Sequence, residues 1–372
     1  MHATTEHLFK IVLLYLALFT LNAHAVVSED LTIGSAKALG LGNAVTADPP
    51  GIDSVHFNPA GLARMKGRQF ELKIFGGAAS VEMEFDDHYT DSWTEKMFKT
   101  REGSPDDFVD DEVLGKTSEI EGLAAMLPWT GLVELPTALV APLGGASFSP
   151  EGTNYTIATN VYPVLAGGFT RAEDDPGRFL GTQLAFSVIT YFAPSIGFKF
   201  NDEISLGAAI TFNYVGVGVD LDFREPNLAI SYLEDIRAGK CADPNNTNNF
   251  LEISDFFPCL PPEEALRPYD VLGRVVIETE KMLSVGVNLG ILWEVTPWMT
   301  IGAVYQSPID MDMDGDFSFV QSDPLLNFIT KMDDSFYGIL SNGPKSIAAL
   351  TKREVTGKAN LKMEYPEHYA IG

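Results

Sequence analysis

Three histidines, two cysteines and one run of alternating aspartates are the residues here that invite a chemical reading. Beyond the first 25 residues the histidines are His56, His88 and His368. None stands in a recognisable Ser/His pattern, which proton transfer or nucleophilic work would require. Cys241 and Cys259 share one stretch between strand-like segments. In an exported chain the simplest reading is a disulfide closing that loop, and no histidine lies close enough in sequence to make a metal set. Asp310-Met-Asp-Met-Asp-Gly315 opens like a calcium loop, but the twelfth position is Gln321 where a glutamate is needed. Methionines alternating with aspartates fit a strand that turns a carboxylate ladder toward a lumen. No enzyme, no cofactor and no metal centre is expected.

The elements that must hold these residues begin with an export signal. In residues 1–25, Lys10 supplies positive charge, residues 11–21 are continuously apolar, and Ala23-His24-Ala25 has the small-x-small cleavage form. That run is far short of the roughly 20 residues a spanning helix needs, and no later stretch reaches that length free of charges, Gly or Pro. Gly 33, Pro 22, Phe 24 and Tyr 12 suit a protein of turns and aromatic strand faces. A net charge of −26 argues against nucleic acid and anionic surfaces as partners.

Period-two alternation then runs far beyond an ordinary strand length. In 274–293, Val275, Ile277, Leu283, Val285, Val287, Leu289, Ile291 and Trp293, with Thr279 and Lys281 among them, oppose Arg274, Glu278, Glu280, Ser284 and Asn288. Residues 299–319 and 180–200 repeat the pattern. Connections at 149–154, 201–203 and 294–298 are short, while those near 86–135, 171–179, 224–273 and 320–355 are mostly long. Long alternating segments with alternately short and long connections predict an all-β, transmembrane antiparallel β-barrel of a Gram-negative outer membrane. Trp293 and Trp298 flank a short turn, where an aromatic girdle belongs. In 205–223 the apolar parity changes after Tyr214, which predicts either a β-bulge accommodated by Gly216 and Gly218 or a strand that leaves the bilayer there, its second half under other constraints.

Before the strands lies a run rich in Gly and Ala, with Gly34, Gly40 and Gly42, then Ala47-Asp48, then Asn58-Pro59-Ala60. It has too little apolar surface to fold alone and must be ordered inside something else. This run resembles the N-terminal hatch of the FadL-type outer membrane transporters of long-chain fatty acids and other hydrophobic compounds. Pro194-Ser195-Ile196-Gly197-Phe198 followed by Ile204-Ser205-Leu206-Gly207, residues 285–305 and residues 358–372 resemble barrel segments of the same family. The resemblance implies a hatch over 26–69 inside a barrel over 70–372. It also implies 14 strands, of which about eight are counted here, starting near Phe70, Thr137, Tyr155, Leu180, Ser205, Arg274, Met299 and Thr356. Further strands are therefore expected after Gly372.

By the same resemblance, the two long outer loops form a groove that first captures ligand. Leu228, Ile230, Leu325, Phe328, Ile329 and Phe336 are its candidates, with packing of the loops against each other as the alternative. Arg274, Lys358 and Lys362 are candidates for meeting a ligand carboxylate in the lumen. The segment 205–223 offers no basic residue before Arg224, which leaves neutral hydrocarbons or aromatics open. The implied surroundings are outer membrane lipid and lipopolysaccharide, with the protein a monomer. The rival readings are a general porin and a structural or adhesive barrel.

Overall fold

A computed structural model describes residues 33–75, 81–87, 112–135, 141–224, 269–334 and 352–372. The first strand, β1 (Gly67–Phe75), follows a buried helical segment. Two short hairpins come next: β2 (Glu82–Glu84) with β3 (Thr117–Glu119), and β4 (Leu123–Leu127) with β5 (Gly131–Leu135). Then follow β6 (Ala141–Ser149), β7 (Tyr155–Thr170), β8 (Gln183–Phe192), β9 (Ser195–Lys199), β10 (Ile204–Arg224) and β11 (Val271–Thr296). The last strands are β12 (Met299–Gln306), β13 (Ile309–Gln321), β14 (Glu354–Tyr365) and β15 (His368–Ile371).

One 11-stranded antiparallel sheet holds all of these but the two hairpins. Three of its lanes are each made of two consecutive strands: β8 with β9, β12 with β13, and β14 with β15. The breaks fall at Pro194, Pro308 and Pro366, because proline has no N–H to give to the ladder. Between these breaks, β7 slips register against β8 at Pro163/Leu165, and β10 slips against β11 at Asn213/Val215. All of these irregularities lie at one height. Asn213 pairs Thr190, which pairs Tyr162, and on the other side Asn288 pairs Gln306, which pairs His368. The sheet therefore carries a belt of broken pairing across its middle.

On the short-turn side of the belt, the alternation behaves as lipid requires. Leu283, Val285, Leu289, Ile291 and Trp293 are exposed, whereas Ser284, Asn288 and Thr211 are buried. The exposed run Val285–Trp293 has the roughly nine residues that a tilted strand needs to cross hydrocarbon. Asn201 closes the β9–β10 turn by accepting from the N–H groups of Glu203 (2.8 Å) and Ile204 (2.7 Å). Among the described residues no helix is long and apolar enough to span a membrane.

On the long-loop side the two faces exchange character. Val188, Val215, Met311 and Met313 are fully buried or nearly so, in the same cluster as Ile52 and Val55 of the hatch region and Tyr162 of β7. The aspartates between the methionines lie on the opposite face, where Asp316 meets Lys358 (2.6 Å) and Asp312 meets Lys362 (3.0 Å). The carboxylate ladder thus lies on the face opposite the hatch cluster, where Asp314 and Asp316 border a cavity of about 570 Å³ with Glu278, Glu280, Lys358 and the β4–β5 hairpin. The expected bulge in β10 is present, but at Asn213–Val215. Gly216 and Gly218 serve a different purpose: a Cβ on either would strike Met126 (2.5 Å) or Leu132 (2.9 Å) of the β4–β5 hairpin, which lies flat on them.

Candidate functional site

Residues 33–65 form a chain of short helical pieces on the sheet: α1 (Ala36–Gly40), a 3-10 turn Gly51–Asp53, α2 (Ser54–Phe57) and a second 3-10 turn Pro59–Arg64. The local sequence dictates the last joint. Asn58 is extended (φ −168°), and its Oδ1 accepts from the Ala60 N–H (3.1 Å) as an N-cap, while Pro59 presets the first helical position. The amide end of Asn58 then does something local structure does not ask for. Its Nδ2 donates to the carbonyls of Thr46 (2.8 Å), Ile291 (3.2 Å) and, more weakly, Ala303 (3.4 Å). One fully buried side chain thus ties the hatch to itself, to β11 and to β12.

The wall receives this segment on glycines. A Cβ on Gly290 would sit 2.0 Å from Asn58 Oδ1, and one on Gly207 would sit 2.1 Å from the Pro59 carbonyl carbon. Gly197 meets Leu62 Cβ at 2.6 Å, and Gly302 meets the Thr46 carbonyl oxygen at 2.4 Å. Four strands in a row therefore omit a side chain where the hatch touches them. Sequence reading missed these positions, though the signal was there: each glycine occupies the polar parity of an alternating strand, and antiparallel register pairs Gly207 with both Gly197 and Gly290, with Gly302 two residues out of line.

A second clamp uses charge. Lys73 on β1 bonds Asp53 (2.5 Å) and the Ile33 carbonyl (3.2 Å), and Asn160 on β7 donates to the same Asp53 oxygen (3.0 Å). Asp53 and Asn160 are buried. Asn288 and Gln306 add bonds to the hatch carbonyls of Val55 (3.2 Å) and His56 (2.7 Å). Beside them a small cavity of about 20 Å³ opens at the belt, bordered by His56, Tyr162, Thr190 and Asn288.

The sequence-derived residues divide accordingly. Asn58, Pro59 and Ala60 are buried at the seat of the hatch. Gly40 and Gly42 are exposed at the end of α1 and just after it, and a Cβ on either would meet nothing within 4 Å. Gly34 has φ 69°, a conformation suited to glycine, just before Ser35, whose Oγ caps α1.

Arg274 is held by both oxygens of Asp220 (2.7 and 2.8 Å) and by Glu173 (3.3 Å). Like Lys358 and Lys362, it lies on the carboxylate face, so the three expected carboxylate partners are already engaged away from the hatch. Leu325 and Ile329 are half-buried on α3 (Asp323–Asp334), which also carries Phe328. Leu228, Ile230, Phe336, Cys241, Cys259, His88 and the export signal lie outside the described residues. Among the described residues, no group of three or more His, Cys, Asp or Glu is placed to hold a metal ion.

Outside the strands, in the β7–β8 connection, Asp175 gathers the N–H groups of Glu119 (2.9 Å) and Gly177 (2.6 Å) and the Ser118 hydroxyl (2.6 Å). Burial alone would raise its carboxyl, but these hydrogen bonds and nearby Arg171 hold it below the usual carboxylate range.

Strands greasy on one face, with a helical segment seated on the glycines of the other, define a β-barrel protein of the outer membrane. Residues 13–372 match the family described as outer membrane protein transport protein (OMPP1/FadL/TodX), and the chain belongs to it. Its family is one of transport proteins, not of enzymes. Among solved structures, a Pseudomonas aeruginosa FadL homologue is similar at 15% identity and TM-score 0.52, over 94% of this chain and 64% of that one. The monoaromatic hydrocarbon channel CymD (13% identity, TM-score 0.47) covers 94% of this chain and 65% of its own. The Ralstonia pickettii toluene transporter TbuX (14%, TM-score 0.44) covers 82% and 62%. The chain thus spans a little under two thirds of the length of these relatives. No curated protein sequence matches it.

Proposed function

We propose that this protein carries long-chain fatty acids or other hydrophobic small molecules, such as hydrocarbons and aromatics, passively across the outer membrane as a monomer. Ligand is captured between the outer loops, descends along the apolar face around Val215 and Met313, and passes when the hatch over 26–69 shifts. The observation that carries this reading is the seat of the hatch. A segment pinned by Asn58 and Asp53, yet separated from four strands only by absent side chains, blocks the bore without being fused to it. Apolar burial at about 25 cal/mol per Å² supplies affinity with no energy source. Neutral cargo is favoured over carboxylates, because Lys73, Arg274, Lys358 and Lys362 are each already paired with an acidic side chain.

The test is uptake of a labelled long-chain substrate by cells expressing the full protein with or without residues 34–60. Altered uptake is expected. A barrel that assembles and transports unchanged without its hatch would end the gating role.

A further inference from the structure

We infer that the small cavity at the belt reads a neutral hydroxyl on the cargo, so that the protein prefers apolar molecules bearing one uncharged polar head. This assignment rests on the transport reading above and names its substrate class.

The starting point is Tyr162. Its ring is fully buried on β7, edge-on to His56 (5.1 Å), and its hydroxyl lies beside Thr190 and Asn288 without a well-aligned hydrogen bond to either. A buried hydroxyl so poorly satisfied gains from a better-placed partner. That hydroxyl borders the cavity of about 20 Å³. Such a volume accepts one water or one hydroxyl, and not a ring.

The remaining rim sets the chemistry. Asn288 and Gln306 each give one N–H to a hatch carbonyl, which leaves each with a second N–H and an amide oxygen, so both can still donate and accept. Tyr162 and Thr211 bring hydroxyls that both donate and accept. No Lys, Arg, Asp or Glu lines the space. A carboxylate there would be desolvated without a counter-charge, whereas a hydroxyl finds donors and acceptors on several sides. Val164 and Ile309 border the same cavity and continue into the buried cluster with Val188, Val215 and Met311. Polar groups at the head and apolar side chains behind it are the arrangement that an alcohol or a phenol presents in complement.

Equilibrium binding of dodecan-1-ol, dodecane and dodecanoate to the full-length protein in lipid nanodiscs, each referenced to empty nanodiscs, tests the assignment. The alcohol is expected to bind about tenfold more tightly than the alkane, the value of one or two added hydrogen bonds. Tyr162→Phe should erase that preference while dodecane binding stays the same, and Thr190→Ser, which keeps its hydroxyl, should preserve it. Equal binding of alcohol and alkane, or a preference that survives Tyr162→Phe, would leave the cavity with a structural water only and overturn the assignment. Tightest binding of dodecanoate would overturn it in favour of a charged head. Binding of none of the three would remove the transport reading, and this assignment with it.

Discussion

The front of the hatch, residues 34–48, and its rear, residues 51–65, are neighbours in sequence and opposites in surroundings. The rear is almost wholly buried, and its side chains and backbone are bonded to β1, β7, β11 and β12. The front exposes Leu39, Leu41, Gly40 and Gly42, and Lys37 pairs with Asp48 (2.5 Å) inside it. Thr46 and Asp48 at its end reach Asn58 (2.8 Å) and Arg64 (3.7 Å) of the rear. Glycine means different things in the two places. At the front it sits in the hatch and gives the backbone freedom. At the rear it sits in the wall and gives the hatch room. In the proposed gating, the anchor stays fixed and only the loosely held part moves.

That contrast can be broken from the rear. Asp53→Ala should have the largest effect, because it strands the buried Lys73 ammonium, a loss of about 3–5 kcal/mol. Urea unfolding of the refolded barrel, followed by heat-modifiable gel mobility, would measure it. An effect below about 1 kcal/mol would mean that the clamp is dispensable. Gly290→Ala should come next, since its new methyl meets Asn58 Oδ1 at 2.0 Å in a segment with no room to yield. A cost of roughly 1–3 kcal/mol is expected, with faster proteolysis of the hatch and larger single-channel conductance in planar bilayers. Asn58→Ala, which orphans up to three buried carbonyls, should weaken the seat by about 1–3 kcal/mol. Hydrogen exchange across residues 51–65 would report it.

The front should be tolerant. Gly40→Ala adds a methyl into open space at the end of α1, and stability should rise slightly or stay within about 0.5 kcal/mol. A large loss there would erase the distinction between the halves. Far from both, Asp175 supplies a control. Its carboxyl lies below its ordinary value when folded, so its contribution is present above the unfolded value and fades as pH falls through the folded one. Amide protection factors at Glu119 and Gly177, taken relative to intrinsic exchange at each pH, should therefore fall on acidification while those of the hatch persist.

How much of this was legible in the chain follows from range. Alternation at 285–293 and 204–212 announced a lipid-facing sheet because the period of a strand is local. Asn58-Pro59-Ala60 announced a joint for the same reason. Tyr214 marked the bulge, since parity cannot change without an irregular residue. What parity cannot say is which side of the sheet packs and which stays wet. Met311 and Met313 looked outward-facing beside Ile301, yet they are buried where Ile301 is exposed. The pairing of Lys73 with Asp53 and of Gly290 with Asn58 joins residues that only the folded register brings together. The β4–β5 hairpin was read as loop, and nothing in Ala124, Met126 or Leu132 alone discloses that Gly168, Gly216 and Gly218 await it.

The bare patch shared by Gly197, Gly207, Gly290 and Gly302 carries a consequence for the cell that makes this protein. Any amino-acid substitution there enlarges a residue that must stay small, and on the proposed reading an evicted stopper leaves a hole instead of a dead pore. Bacteria with such a change would be recognisable by sudden sensitivity to bulky antibiotics that the envelope normally keeps out.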